Sequence, residues 1–556
     1  MKLIECVPNI SEGRDKKVIN DIVSTLKNYP NIHLLDVDSG QDTNRTVITF
    51  IGSPDDIVNG AFDLINKSLQ LIDMSKHSGE HPRMGATDVC PLIPISNVTT
   101  KECISYSKKL GERLGKELNI PVYLYEKSSK NKKRSNLADI RSGEYEGFSK
   151  KITSKEWKPD YGPQIFHTKF GCIAVGVREF LLAYNINLNT TDRKIATDIA
   201  LDIRERGRLK RDNDGKIIRN KNGIAERVPG KFKFCKAVGW IIEEYNQAQV
   251  SINLTNYKKT SLHKVFQEVR LQARKRGVRV TGSEIVGLIP RKSLLDAGKY
   301  YLKLQNRPMG IPEVDIINIA IKSLGLSDIS KFNPFDKIIE YKIDDKKYFS
   351  NLTFEKLINE FSRPTPTPGG GSAAAMGAAL GASLASMVSN LTINKKGYEK
   401  HNTYHNTKSI NCQKNILELL TLIDDDSKSF DNVISAMKLP KKNKKDIIKR
   451  NKNIESATID AANIPMRVLK LCHLIISDAS DISDKCNINS ISDIGVSAEF
   501  LKAAANSASY NVLINIKDLK SNIIEKYTND VDYYIKQIED SYITIINNVN
   551  KSLLQK

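Results

Sequence analysis

At 556 residues the chain is several times the length of a typical domain of about 100–150 residues, which divides it among roughly two to four cores. Hydrophobic residues at 40% beside charged residues at 27% exclude bulk disorder and a fibrous repeat. Lys and Arg outnumber Asp and Glu by 85 to 64, a formal charge of +21, so nucleic acid, an anionic membrane or a polyanionic small molecule has to be weighed as partner.

In chain order, apolar alternation and helical spacing predict a strand at 3–7, a helix at 16–26, strands at 32–37 and 46–51 and a helix at 54–71, the order β-α-β-β-α. A strand at 89–95, a helix at 101–118 and a strand at 122–125 complete an α+β module around a mostly antiparallel sheet. A ferredoxin-like, split βαβ arrangement is the first expectation for it. From Phe180 the rhythm restarts, with a strand at 181–186, a helix at 192–206, paired strands at 237–242 and 249–254 and a helix at 261–275. The interposed stretch 209–233, rich in Lys, Arg, Asn and Gly, reads as a mobile surface loop. After an irregular stretch through Asn333 and Pro334, helical periodicity takes over from Phe354: helices at 354–361, 373–391, 406–437, 444–472, 496–515 and 523–554 predict an all-α bundle. The expected organisation is two α+β subdomains at 1–179 and 180–328, a linker at 329–350 and a helical domain at 351–556.

The basic runs at 130–134, 210–236 and 441–452 are not interleaved with the aromatic side chains of a base-stacking surface, so a solvated basic face is expected and no nucleic-acid partner. Eight cysteines spread singly, without a C-x-x-C pair, predict neither a disulfide framework nor a cysteine-rich zinc site. The opening MKLIECVPNISEG has too short an apolar stretch for a signal peptide, and a cytoplasmic location is expected. Stretch 373–391 is a membrane candidate by length. Its Ala, Gly and Ser content and the Pro/Gly loop before it argue for a buried helix instead, and Gly377-x-x-x-Gly381 suits close helix contacts.

His77-Ser78-Gly79-Glu80-His81 matches H-x-x-E-H, but zinc ligation needs both histidines one helical turn apart, and Gly79 and Pro82 oppose a helix. No metal is expected. His81 instead stands with Glu80, Arg83 and the turn residues Gly79, Pro82 and Gly85 in one short segment before a strand, a setting typical of general acids and bases. This segment, GEHPRMGATDVCP, together with ECVPNISEG and DVDSGQDTNRTV, resembles the formiminotransferase half of the formimidoyltransferase-cyclodeaminase family. The resemblance continues around Pro163, through FLLAYNINL at 180–188 and TGSEIVGLIP at 281–290, and so covers most of residues 1–330. It implies transfer of the formimino group from N-formimino-L-glutamate to the co-substrate tetrahydrofolate, with His81 as the catalytic acid/base.

An imidazole suits that reaction, because attack by the folate N5 amine on an amidine carbon needs proton removal from the nucleophile and proton delivery to departing glutamate. Asp38 is a candidate to orient the imidazole, or else a turn carboxylate capping amides before Gly40. Arg45 is a candidate to pair with a substrate carboxylate through its planar fork. By position, GPQIFHTKFG matches the family's folate-binding segment, which names Gly162, Pro163, Gln164, Ile165, Phe166, His167, Thr168, Lys169, Phe170 and Gly171, followed by Arg178. His167, Thr168 and Lys169 stand where the family carries small and aromatic residues, so the backbone carries the expectation there.

PTPTPGGGSAAAMGAALGASLASMVSNLT at 364–392 puts a Gly-rich loop at a helix N-terminus, which can hold an anion or simply pack closely; it lacks the lysine of a Walker loop. With LIDDDSKSF at 422–430, MKLPK at 437–441 and YNVLINIKDL at 510–519, residues of about 350–550 resemble the cyclodeaminase/cyclohydrolase family. That implies ring closure of formimino-folate to 5,10-methenyltetrahydrofolate with loss of ammonia, using no metal. Asp424 and Asp426 match the acidic pair of the motif, and Asp424, directly after Leu422-Ile423, is the favoured proton carrier; solvent-facing helix carboxylates are the plain alternative. His401-x-x-x-His405 has helical ligand spacing but no third ligand.

Together these resemblances imply a bifunctional folate enzyme of histidine breakdown. Polyglutamylated folate would be retained by the basic surface, and a ring-like homo-oligomer, with eight subunits as one option, is expected. The alternatives are a transferase fused to a methenyltetrahydrofolate cyclohydrolase, and a basic nucleic-acid-binding or scaffold protein with decayed folate sites.

Overall fold

The computed structural model describes residues 2–41, 43–79, 82–131, 134–242, 246–343 and 349–554. It divides into two units, Met1–Ser293 with Leu324–Asp344, and Leu294–Ser323 with Asp345–Lys556.

The first unit opens with β1 (Leu3–Cys6), β2 (Asn9–Ile10), α1 (Lys16–Ser24), β3 (Ile32–Gly40), β4 (Arg45–Gly52), α2 (Pro54–Leu71), β5 (Thr87–Ser96), α3 (Thr100–Glu117), β6 (Val122–Glu126), α4 (Leu137–Arg141), α5 (Glu144–Lys151) and β7 (Ile173–Val177). Helix starts follow local chemistry. Ser53 caps α2, with Pro54 at the first helical position, and Thr99 and Glu102 form a reciprocal capping box on α3. All seven strands join one sheet. β1 and β2 act as one interrupted strand between β4 and β5, with Glu5 opposite Ile51 and Ile93 and Asn9 opposite Val47 and Val89. Those pairings and β3–β4 are antiparallel. The other limb is parallel, because β7 inserts between β5 and β6, a strand that periodicity alone does not mark.

Strand alternation then sorts the two faces. Ile4, Cys6, Ile48, Phe50, Cys90 and Leu92 are buried in one core with residues of α1, α2 and α3. On the opposite face Val89, Tyr123, Tyr125 and Ala174 pack with Ile140, Phe148 and Ile152 of the α4–α5 region. The stretch of that face carrying Glu5, Asn9 and Arg45 is not covered by those helices, and it fronts the cleft described below.

The second sheet uses β8 (Leu182–Leu188), α6 (Arg193–Ile203), β9 (Arg208–Leu209), β10 (Arg227–Val228), β11 (Cys235–Ile242), β12 (Gln247–Leu254), α7 (Leu262–Lys275) and β13 (Val280–Val286). β11-β12-β8-β13 is its order, antiparallel throughout. Stretch 209–233, expected from composition to be a mobile surface loop, is largely exposed and carries regular hydrogen bonding. Asp212 Oδ1 accepts from the amides of Asp214 and Lys216, and Asn220 Oδ1 from those of Asn222 and Ile224. These two matching turns, eight residues apart, fold it into a meander in which Lys210, Ile218 and Glu226 exchange backbone hydrogen bonds.

α8 (Arg291–Leu304) and α9 (Glu313–Leu324) follow, then α10 (Pro334–Lys337), α11 (Ile339–Ile343), α12 (Phe354–Phe361), α13 (Gly370–Thr392), α14 (Asn402–Met437), α15 (Lys444–Ser483), α16 (Ile491–Ile516) and α17 (Ser521–Leu554). Residues 294–323, which the sequence reading attaches to the preceding subdomain, count with the helical unit. The Gly310 carbonyl accepts from Ser386 Oγ at 3.2 Å and Asn390 Nδ2 at 2.7 Å, and Gly310 lies directly against Ser409. α13 is long and apolar enough to cross a membrane, yet Ala374, Ala375, Ala378, Ala382 and Ala385 are buried in the bundle core. Gly381 allows the approach of α16: Ser497 Oγ donates to its carbonyl at 2.7 Å, and an added Cβ would collide with Leu501.

Candidate active sites

His81 and Glu80 lie outside the described residues; the segments on either side of them are firmly held. Asn44 Nδ2 donates to the Ser78 carbonyl at 2.9 Å. His77 bonds the Asn44 carbonyl through Nε2 at 3.0 Å and accepts from Arg83 Nε at Nδ1, 3.1 Å. Those bonds define a neutral ring, and burial, joined by the Arg83 cation, holds the imidazole below its usual range. Arg83 also reaches Glu146 at 2.6 Å and Glu144 at 3.2 Å. The first histidine of the H-x-x-E-H match is therefore a loop anchor.

The segment 162–171 packs against this loop. Gly171 and Gly85 form a β-bridge, and Tyr145 links the two pieces, its amide donating to the Arg83 carbonyl and its hydroxyl to the Thr168 carbonyl. Gly171 and Gly162 have φ of +78° and +79°, and an added Cβ would lie 2.2 Å from the Met84 carbonyl oxygen and 2.1 Å from that of Ile120, so only glycine serves at either position. Gln164 donates to the carbonyls of Ile152 and Ser154, Phe166 meets the Tyr145 ring, His167 Nδ1 accepts from the Phe170 amide, Lys169 bonds the Gln70 carbonyl, and Phe170 is fully buried. Pro163 is half-buried and Ile165 exposed. None of the ten lines the cleft that holds Asp38, Arg45 and Arg178.

That cleft lies between the uncovered face of the first sheet and residues of the second. Two lobes of about 550 and 440 Å³ share Arg178 and Leu181. In the first, Arg45, Lys127, Arg141, Arg178 and Lys236 outnumber Glu126 and Glu179, so it attracts anions. Behind its wall Asp88, fully buried, accepts from Arg45 Nη1 at 2.9 Å, Arg141 Nη2 at 2.5 Å and the Met84 amide at 3.1 Å. Arg45 also holds Asn9 Oδ1, at 2.8 Å from Nη2. Much of the Arg45 fork is thus turned inward, which its position in the sequence does not reveal. Asp88, Asn9 and Arg141 are absent from the sequence-derived candidates, although Asp88 lies inside GATDVCP and Asn9 inside ECVPNISEG.

Asp38 is exposed and lines the second lobe with Asp36, Arg178, Lys337 and Glu5. Glu5 was also missed: in sequence it is one polar residue in an apolar strand. It is 2% exposed, and its Oε2 is buried without a hydrogen-bond partner. Burial pushes the carboxyl from 4.5 up to about 7, against the pull of Arg178. A carboxyl that holds its proton more tightly when folded loses stability as pH rises from about 4.5 to 7, and the loss is complete above that range. Glu5→Gln should therefore gain on the wild type as pH rises, by about 3 kcal/mol at most. Differential scanning calorimetry at pH 5 and pH 8 checks this, and a melting-temperature difference that does not change with pH would contradict it.

In the helical unit Asp424 and Asp426 have different partners. Asp424, 6% exposed, accepts from the Phe349 amide at 2.7 Å and Ser350 Oγ at 2.6 Å, so both oxygens tie down the segment leading into α12. Asp426 Oδ2 accepts from the Ser372 amide at 2.9 Å and its hydroxyl at 3.0 Å, at the start of α13. There the Gly-rich loop holds a carboxylate of the protein itself, as helix N-termini favour. A Cβ on Gly371 would lie 2.2 Å from Asp426 Oδ1, and one on Gly370 3.0 Å from Asn511 Nδ2 of α16. PGGGS, LIDDD and YNVLI thus converge. Burial pushes the Asp426 carboxyl above the usual range, opposed by the Ser372 bonds. His405, by contrast, is fully buried between the Lys485 carbonyl and Ser389 Oγ.

Three family models match the chain: the N-terminal subdomain of the formiminotransferase domain over residues 3–178, the formiminotransferase domain over 183–344, and formiminotransferase-cyclodeaminase over 353–532. The formimidoyltransferase-cyclodeaminase of Dictyostelium discoideum is 40% identical over 545 residues, 97% of each chain. That of Gallus gallus is 37% identical over 540 residues, 97% of this chain and 96% of its own. The glutamate formimidoyltransferase of Streptococcus pyogenes serotype M1 is 43% identical over 305 residues, 55% of this chain and 95% of its own. With identity of that order sustained across both units, the chain belongs to the formimidoyltransferase-cyclodeaminase family.

Proposed function

We propose that the chain catalyses two consecutive folate reactions: formimino transfer from N-formimino-L-glutamate to tetrahydrofolate, then cyclodeamination of 5-formiminotetrahydrofolate to 5,10-methenyltetrahydrofolate and ammonia. The observation that carries this is the 40% identity to a two-activity relative across 97% of both chains. In the first reaction folate N5 bonds to the amidine carbon, the carbon–nitrogen bond to glutamate breaks, and glutamate leaves with a proton. In the second N10 attacks the same carbon and ammonia departs.

Transfer is assigned to the two-lobed cleft and the adjoining loop, with His81 moving the protons and Asp38 orienting it. The electropositive lobe around Arg45, Arg141 and Arg178 suits the carboxylates that both co-substrates carry. Residues 162–171, beside the loop, are read as contributing folate contacts through their backbone. Cyclodeamination is assigned to the convergence of Asp426, Ser372 and Asn511, with Asp424 either sharing the proton work or holding the fold. Both α+β parts are read as ferredoxin-like; the antiparallel β11-β12-β8-β13 sheet, visited as β-α-β-β-α-β apart from the β9–β10 meander, supports this for the second. A metal-free mechanism, a cytoplasmic location and a homo-oligomer complete the proposal.

Absorbance of methenyl-folate formed from N-formimino-L-glutamate plus tetrahydrofolate, with ammonia measured in parallel, tests the whole sequence. Methenyl-folate hydrolysis without ammonia release would favour the cyclohydrolase alternative. Salt-dependent retention on DNA with no folate-induced stabilisation would favour the scaffold alternative. The +21 charge adds a further expectation. Polyglutamylated intermediate should pass between sites more efficiently than the monoglutamate at low ionic strength, and raised salt should erase the advantage. Equal lag times for the two substrates at low salt would refute retention by charge.

A further inference from the structure

The second lobe of the cleft is bordered by a carboxyl that the transfer chemistry does not use. The Glu5 carboxyl lines it, 2% exposed, with Oε2 buried and unpartnered. A buried acceptor left empty is unfavourable unless something fills it. Around it stand Asp36 and Asp38 of β3, Arg178 after β7 and Lys337 of α10. The remaining wall is largely apolar, with Val7 and Val47 on the first sheet and Phe180, Leu181 and Leu288 across from them. Apolar walls with a single buried polar anchor form the usual setting for a ring-shaped ligand.

We propose that Glu5 receives the pteridine ring of the folate, its two carboxylate oxygens accepting from the ring N3–H and the 2-amino group. This rests on the reading of the cleft as the transferase site and names what its second lobe recognises. The 2-amino-4-oxo edge presents two parallel N–H donors, and a carboxylate presents two acceptors at matching spacing. The amidinium of N-formimino-L-glutamate also offers paired donors. It is small and cationic, however, and would leave the apolar wall unfilled. Ligand binding ionises the carboxyl, with Arg178 as nearest cation. Because unliganded Glu5 keeps its proton up to about 7, binding near pH 6 releases one.

Titration calorimetry of the full chain with 5-formyltetrahydrofolate, in buffers of different ionisation enthalpy at pH 6, tests this together with transferase kinetics. For Glu5→Gln the expected results are at least a tenfold weaker Kd, loss of proton release, and a raised KM for tetrahydrofolate with the KM for N-formimino-L-glutamate within twofold of wild type. An analogue with methyl in place of the 2-amino group should bind wild type at least tenfold more weakly than its parent, while the variant barely discriminates. Glu5→Asp, which keeps the charge, should keep proton release with an intermediate Kd, and it serves if Glu5→Gln does not fold. Unchanged folate affinity in the variants, or a rise in KM confined to N-formimino-L-glutamate, overturns the assignment alone. A wild-type chain that binds no folate overturns the transferase reading and this assignment with it.

Discussion

Replacing His81 with alanine is expected to lower formimino transfer by about 10²- to 10⁴-fold, the usual share of a general acid–base group, while cyclisation of supplied 5-formiminotetrahydrofolate continues at the wild-type rate. The amine nucleophile must lose a proton and departing glutamate must gain one, and a single near-neutral imidazole can serve both steps in turn. The segments that flank His81 are tied down on both sides. Asn44 fixes the Ser78 carbonyl, and Arg83 is pinned by His77, Glu144 and Glu146. His77→Gln should act differently: the neutral His77 ring is an anchor, so transfer should weaken through loop placement without a new pH optimum. Glutamate release and ring closure, assayed separately, decide the matter. If both activities fell together in folded His81→Ala, separate sites would be wrong.

The complementary result is expected of Asp426→Asn: cyclodeamination falls by a similar factor and formimino transfer is retained. Departing ammonia needs a proton, and burial raises the Asp426 carboxyl above its ordinary range, so it takes up a proton to deliver more readily than a solvated aspartate. Asparagine keeps an acceptor for the Ser372 amide and hydroxyl, so the start of α13 should hold while proton transfer fails. Asp424→Asn serves as the comparison. Its carboxylate is occupied by the Phe349 amide and Ser350 hydroxyl, and the substitution should lower the melting temperature more than kcat. A folded Asp424→Asn protein without cyclodeaminase activity, beside an active Asp426→Asn, would exchange the two roles.

Much of the architecture is visible in one dimension because it depends on local chemistry. Helix α12 occupies 354–361 and α2 runs over 54–71 as periodicity predicts, and the alternation in β1 separates Ile4 and Cys6 from Glu5. β7 escaped notice because it lies behind an irregular stretch and acquires its strand neighbours only through pairing with β5 and β6. Composition marked 209–233 only as a surface loop, whereas two Asx turns at a spacing of eight residues give it hydrogen-bonded structure.

The sites divide along the same line. Motif wording alone singled out the loop of His81 and the acidic pair Asp424 and Asp426 as candidates, and it pointed to the family to which both units belong, since residue identity and spacing are properties of the chain itself. Tertiary structure alone revealed that Arg45 is turned toward Asp88 and Asn9, that Asp424 and Asp426 hold different partners, and that Glu5 borders a cavity with its Oε2 buried and without a hydrogen-bond partner. Burial and hydrogen-bond partnership are set by residues tens to hundreds of positions away. A carboxylate in solvent and one sealed between two sheets are the same letter until the chain has folded.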